Sequence, residues 1–329
     1  MAGKNIIIAF DGTGQKAQNR TNVDLLAEAS LNDGKQQCVW YDPGVGTSAG
    51  AYIRGEAWGY GISKNLMEAY RYLAKTLNEE DRLYIFGFSR GAFSARSLGG
   101  LIRKCHILKD PGKTDDAYRL YQKKDASPDT DEAIAFRNSF SKPWKPNIHF
   151  MGVWDTVGRL GIPNSIRLFG KNSDEFHDTT LSGYTKNAYH AVAIDENRKD
   201  FDVVLWTGCN PDTVCEQRLF VGAHSNVGGG YNDNLLSTIP LYWMLERAVQ
   251  CGLILSPNKG LDAYKYSADA IKGEIIDSYA DFILGMYKWR FGRYIRQFDI
   301  GVNVVLDDSV RNRMSLDSAY RPTNISKFI

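Results

Sequence analysis

The chain has 329 residues, with 40 Lys and Arg against 38 Asp and Glu, a net charge of +2 and 43% hydrophobic residues. That balance suits a globular protein with room for a large central core, and its weak field implies no nucleic-acid partner. Five scattered cysteines without a C-x-x-C pair argue for reduced thiols over a disulfide framework or a zinc site, and no apolar run approaches the roughly 20 residues of a membrane span.

In chain order, "KNIIIAFDGTG" (4–14) is a short β-branched apolar run ending in Asp-Gly-Thr-Gly, the pattern of a buried parallel strand that opens into a loop. The opening "MAGKNIIIAFDG" is too short a hydrophobic stretch for a cleaved signal peptide. The expectation is a chain made and folded in the cytoplasm, with export by a machine that needs no leader left open. "QCVWYDPGVGT" (37–47) repeats the strand design and stops at Asp42-Pro43-Gly44. Between about 59 and 77, Ile62, Leu66, Ala69, Tyr70, Leu73 and Leu77 recur at helical spacing and predict a helix leading into the strand "RLYIFG". After Ser89, Ala92, Ala95, Gly99 and Ile102 line one side of a second helix, small enough to lie close on a sheet. Strand, helix, strand, helix is an α/β order, so the expected architecture is a mainly parallel central sheet flanked by helices.

Residues 109–146 are polar and hold three prolines before Pro146, which predicts an insertion with no more than one helix, of the kind that often caps an active site. "NIHFMGVWDTVG" (147–158) and "RLFVGAHSNVGGGY" (218–231) return to buried strands, each breaking off at a polar residue followed by glycine. "STIPLYWMLERAVQCGL" (237–253) predicts a helix from Ser237 or Thr238, with Pro240 in its first turn and Gly252 near its end. Residues 255–329 read as a helical extension packed on the core, with 269–298 mostly helical in pattern. There Lys288, Arg290, Arg293 and Arg296 interleave with Trp289, Phe291, Tyr294 and Phe298. A basic aromatic helix can sit on an anionic membrane, but no face is cleanly apolar, which favours a solvated basic face on the protein's own domain.

G-x-S-x-G occurs twice, and context separates the two copies. Ser48 in "GTSAG" lies beyond Pro43 with no helix starting at once, whereas Ser89 in "GFSRG" directly follows "LYIF" and directly precedes a helix. That is the setting of a nucleophile elbow, where a strained turn lifts the hydroxyl off the sheet and glycines at 87 and 91 avoid a clash. A serine needs a base, and the base needs a carboxylate to fix its tautomer. Of five histidines, His106 ends the elbow helix, His149 lies inside a strand and His177 in a polar loop. His224 stands where a strand runs out into a glycine-rich loop and is the preferred base; His190, which also suits a core position, is second. Asp155 ends a strand and gives the chain order Ser, Asp, His of α/β-hydrolases, with Asp195 as runner-up. Backbone N–H groups for an oxyanion hole are expected from Arg90, after the nucleophile, and from Gly12 or Thr13.

Taken together, "FDGTG", "TNV", "YDPGVGT", "GFSRGAFSAR", "GVWDTVGRLG", "YHAVAIDE", "VGAHSNVGGGY" and "YRPTNI" resemble an α/β-hydrolase family that includes phospholipase effectors of bacterial type VI secretion. The resemblance runs from residue 5 to about 324. It implies one α/β-hydrolase domain over 1–329 and a serine lipase or esterase without cofactor, with Ser89 as nucleophile, Asp155 as acid and His224 as base. A lipid or other ester substrate, peripheral membrane contact, and a secretion-machinery or immunity protein as partner are what it further implies. Three rivals stand beside it: a hydrolase fold that binds without turnover, phosphate binding through "GVGTSAG" or "NVGGGY", which match no P-loop or dinucleotide fingerprint, and a metal at converging Asp11, Asp42 and Asp155.

Overall fold

The computed structural model describes residues 3–12, 19–44, 55–123, 127–158, 180–281 and 292–329. Its strands are β1 (Asn5–Phe10), β2 (Gln37–Asp42), β3 (Arg82–Phe88), β4 (Ile148–Trp154), β5 (Thr185–Ala193), β6 (Val214–Phe220) and β7 (Val304–Leu306). They form one sheet in the order β2-β1-β3-β4-β5-β6-β7, and each neighbouring pair is parallel. Parallel neighbours need long crossovers, and helices supply several of them: α1 (Asn22–Ala29), α2 (Gly55–Thr76), α3 (Arg90–Cys105), then α6 (His224–Gly228) and α7 (Leu235–Gln250) after β6.

Covering both faces explains the uninterrupted apolar run of β1, which is buried along its whole length. Successive side chains of a strand point to opposite faces. Ile6, Ile8 and Phe10 accordingly share a core with Leu66, Tyr70 and Leu73 of α2 and Leu98 and Ile102 of α3. Ile7 and Ala9 join Val23 and Leu26 of α1 and Met244 and Leu245 of α7 on the other side. The sheet grows from β1 to β2 in one direction and from β3 onward in the other, so the strand order reverses between β1 and β3. Such a reversal opens a crevice at the carboxyl ends of the strands, where ligands bind in α/β sheets.

The insertion holds two helices where one was expected, α4 (Thr114–Gln122) and α5 (Asp131–Phe140). The Thr130 side chain caps α5 by accepting from the Ala133 N–H, and the otherwise polar pair anchors through buried Ala117, Leu120 and Ala133. Both helices dock on the C-terminal end of α3: Lys104 Nζ donates to the Lys123 carbonyl at 3.0 Å, and Ser141 Oγ to the Cys105 carbonyl at 2.5 Å. At about 1.5 Å per residue that end lies roughly 22 Å from Ser89 along the helix, so the described part of the insertion buttresses the far end of α3.

Two other elements depart from the sequence reading. Helix α7 starts at Leu235, which puts Pro240 inside the helix and not in its first turn. The expected long helix over 269–298 is replaced, in its described part, by a 3-10 turn at Ala268–Lys272, the four-residue α8 (Ser278–Asp281) and an extended stretch over 292–298. The cause is burial: Arg296 and Phe298 point inward from that stretch, Phe298 joining Val192, Ile194, Leu219, Val310 and Ile325 in a third core. Strand β7 and α9 (Asp308–Leu316) follow. Thr13, Ser48, His177, Lys288, Trp289, Arg290 and Phe291 lie outside the described residues. Among the described residues no helix is long and apolar enough to cross a membrane, and the five cysteines are free.

Candidate active site

Ser89 occupies the single residue between β3 and α3, at φ 59 and ψ −122. That backbone conformation is strained for a residue with a side chain and persists only where surroundings force it. Here the Ser89 N–H donates to the Trp154 carbonyl at 3.0 Å, and the glycines leave no alternative packing. A Cβ on Gly91 would stand 2.2 Å from the Phe10 carbonyl oxygen, and one on Gly87 would stand 2.5 Å from that of Gly91. Only bare backbone lets α3 begin this close to β1.

The partners arrive from two other strand ends. Asp155 follows β4 at φ 39, its N–H donating to the Ala191 carbonyl at 2.7 Å. His224 opens α6, four residues after β6, beyond a turn at Gly222 with φ 112. All three side chains are buried and in series: Ser89 Oγ to His224 Nε2 at 2.7 Å, His224 Nδ1 to Asp155 Oδ2 at 2.5 Å. An ionised carboxylate only accepts, so Nδ1 carries the proton and Nε2 is left to accept from the serine hydroxyl.

Asp155 is ionised because of a residue the sequence reading put on the surface. Arg296, with no exposed area, donates from Nη1 to Oδ1 at 2.7 Å and from Nη2 to Oδ2 at 3.0 Å, and the Ala193 N–H adds a bond to Oδ1 at 2.9 Å. Burial alone would raise this carboxyl, but the Arg296 charge and His224 more than offset it and hold Asp155 well below the usual carboxylate range. Burial also pushes His224 below its ordinary value, against the pull of Asp155. The imidazole is thereby kept neutral, as a proton acceptor must be.

A second buried pair braces His224. Glu196 accepts from the His224 N–H at 3.3 Å and from Arg198 at 2.8 and 2.7 Å. Burial raises this carboxyl, yet the Arg198 charge prevails and brings it down to about 2. The rings of Phe88 at 4.7 Å and Phe201 at 5.3 Å pack on the imidazole. "YHAVAIDE" ends on Glu196, but nothing in it marks that carboxylate as the support of a histidine 28 residues later.

The alternatives fall into other roles. His190 is a satisfied core histidine on β5: its ring accepts from the Thr156 N–H at 3.1 Å and meets Gln217 Oε1 at 3.2 Å, and burial pushes it down to about 3. Asp195 takes the Gly222 N–H at 2.7 Å and the Tyr320 hydroxyl at 2.9 Å, holding the turn before His224; burial raises it to about 6. Arg90 is the first residue of α3, so its amide sits at the helix N-terminus, where negative charge is favoured. Gly12 departs from its expected role as an oxyanion donor, since its N–H is turned onto the Asp11 carboxylate at 2.6 Å. Asp11 also binds Tyr41 and Thr21 through their hydroxyls, a local tie invisible to a strand-end pattern. Among the described residues no group of three or more His, Cys, Asp or Glu is placed to hold a metal; Asp155 is engaged by Arg296 and His224, and Asp42 by Asn65 and the Gly44 N–H.

Comparison with known proteins bears on the family and the fold. An uncharacterized protein of Saccharomyces cerevisiae is 30% identical over 233 residues, 63% of this chain and 33% of that protein. A crystal structure of an uncharacterized protein from Pseudomonas aeruginosa shares the fold at TM-score 0.52 and 20% identity, over 82% of this chain and 49% of that one. Thermogutta terrifontis esterase 2, phosphonylated by cyclosarin, aligns at TM-score 0.41 and 14% identity over 78% of this chain and 86% of its own. The chain thus spans about a third of the yeast relative's length and about half of the Pseudomonas protein's. Residues 4–247 match the family described as type VI secretion phospholipase effector Tle1-like, catalytic domain, and with that match over most of its length the chain belongs to this family.

Proposed function

We propose that the protein is a serine hydrolase of carboxylic esters, acting on the acyl esters of phospholipids. The observation that carries the reading is the unbroken series Ser89, His224, Asp155, assembled from the ends of three strands at hydrogen-bonding distances. His224 Nε2 takes the hydroxyl proton as Ser89 Oγ attacks the ester carbonyl, and Asp155 stabilises the imidazolium that forms. The Arg90 amide faces the developing oxyanion at the start of α3, a donor of a kind worth about 3 kcal/mol of transition-state stabilisation. His224 then returns its proton to the leaving alcohol, and water, activated by the same base, releases the acyl group from Ser89.

A lipid substrate is supported by the family's description, which names a phospholipase effector. Membrane contact and secretion-machinery or immunity partners belong to the same proposal and are supported by that family; synthesis in the cytoplasm with export by a secretion machine is proposed alongside them. A hydrolase fold without turnover is disfavoured by a base already aligned on its nucleophile. Mass spectrometry of a total lipid extract incubated with wild type and Ser89→Ala is the test. Wild type should release free fatty acid and lysophospholipid; equal product from Ser89→Ala would remove the reading.

A further inference from the structure

We infer that Arg296 is a positioning residue for catalysis, and that the extended segment 292–298 is the strap that delivers it to Asp155, an inference that rests on the serine-hydrolase reading above. Residue 296 lies outside the matched region 4–247.

The strap has the period of an extended chain. Tyr294, Arg296 and Phe298 face inward, while Arg293, Ile295, Gln297 and Asp299 are exposed. Each inward residue is fastened to the connection after β5 or to the core beneath it. The Tyr294 N–H donates to the Asn197 carbonyl at 2.9 Å and its hydroxyl to Asp202 at 2.8 Å. Arg296 Nη1 donates to the Ala193 carbonyl at 2.8 Å as well as to Asp155, and Nη2 also reaches the Phe201 carbonyl. Phe298 anchors in the third core. The guanidinium therefore ties together the Asp155 carboxylate, the end of β5 and the loop whose Phe201 packs on His224.

Two consequences follow from its charge and shape. A planar fork bound to both oxygens fixes the rotation of the carboxylate, and with it the direction in which the His224 ring points. A cation on that carboxylate also weakens its pull on the imidazolium, so His224 stays neutral over a wider pH range. Among the described residues the charged groups around His224 are Asp155 after β4, Glu196 and Arg198 after β5, and Arg296 on the strap; of these, Arg296 acts on the imidazole through the carboxylate that touches it.

The test compares full-length wild type, Arg296→Gln and Arg296→Lys in three measurements: the His224 imidazole titration by NMR, kcat and KM on a short acyl ester, and thermal unfolding. Neutralising Arg296 should raise the His224 pKa by about one unit, and the acid limb of kcat/KM should move to higher pH with it. Arg296→Lys keeps the charge but loses the fork, so the titration should stay near wild type while kcat falls about tenfold or more with KM little changed. Should Arg296→Gln fail to fold, Arg296→Lys decides by the same kcat criterion. A folded Arg296→Gln with an unmoved His224 titration, or a folded Arg296→Lys with wild-type kcat, overturns the inference. Wild type that turns over no ester would instead sink the serine-hydrolase reading, while the NMR titration would still read the coupling of Arg296 to His224.

Discussion

At the scale of the residue, the chemistry depends on which protonation state each side chain is held in. Asp155 is kept ionised by Arg296, and its value to His224 is that it accepts a hydrogen bond from Nδ1–H and so fixes the tautomer. An amide at this position could present a donor to Nδ1 and reverse the tautomer. Asp155→Asn should therefore lower kcat by about 10⁴-fold with the fold retained, as steady-state kinetics beside circular dichroism would show. The pH dependence follows from the sign of the His224 shift. Its pKa is lowered in the folded protein, so the imidazole remains a base as pH falls past the usual histidine value of 6.5. The acid limb of kcat/KM should have its midpoint below about 6.5, and a midpoint above 7 would contradict the burial argument.

The residues that could be found in the sequence were those with a local signature. Ser89 and Asp155 directly follow strands and His224 follows one by four residues, each at a tight turn, and that pattern is written in ten or so consecutive letters. Arg296 has no such signature: its partner lies 141 residues away, and its neighbours alternate basic and aromatic in a way that reads as surface. The direction of the Gly12 amide has no local signature for a related reason, because it is set by the Asp11 side chain and not by the strand end they share.

At the scale of the element, the elbow works because β3 hands the chain to α3 through one strained residue with no room around it. Gly91→Ala would drive a methyl group into the Phe10 and Asp11 carbonyls, backbone atoms that cannot swing away. Such overpacking should cost about 3 kcal/mol or more and displace the Ser89 hydroxyl, which urea unfolding and ester hydrolysis would report together. Strands β1, β2, β3, β4 and β6 were legible here because buried parallel strands are short apolar runs between loop signals, whereas β5, whose "AYHAVA" suits a helix or a strand interior, and the order of the strands were not. Helix α5 was not, since only Ala133 of its ten residues is buried and its periodicity is correspondingly faint. The short edge strand β7 offers three partly exposed residues, too few to show a period.

At the scale of the whole molecule, the C-terminal stretch is structural to the site and not an appendage to it. It adds β7 to the sheet beside β6, closes a third core and delivers Arg296. Removing the anchor of the strap should therefore affect more than stability. Phe298→Ala should cost about 3–5 kcal/mol by opening a cavity, measured by denaturant unfolding. Because the anchor lies two residues from Arg296, it should also lower kcat under conditions where the variant is still folded. A variant equally destabilised in the insertion, such as Leu120→Ala at the far end of α3, should leave kcat unchanged. The expected helix over 269–298 hid this role, because a pattern of mixed basic and aromatic residues carries no mark of a buried ion pair with a distant carboxylate.

Activation of Ser89 by His224 for attack on an acyl carbonyl is the step on which the proposed chemistry depends. The most direct measurement is peptide mapping of the folded protein after exposure to a fluorophosphonate, with His224→Ala treated in parallel. One adduct is expected, on Ser89, formed rapidly in wild type and at least about a thousandfold more slowly in His224→Ala. Wild-type protein that stays unlabelled at Ser89, or is labelled there as fast when His224 is gone, would contradict it.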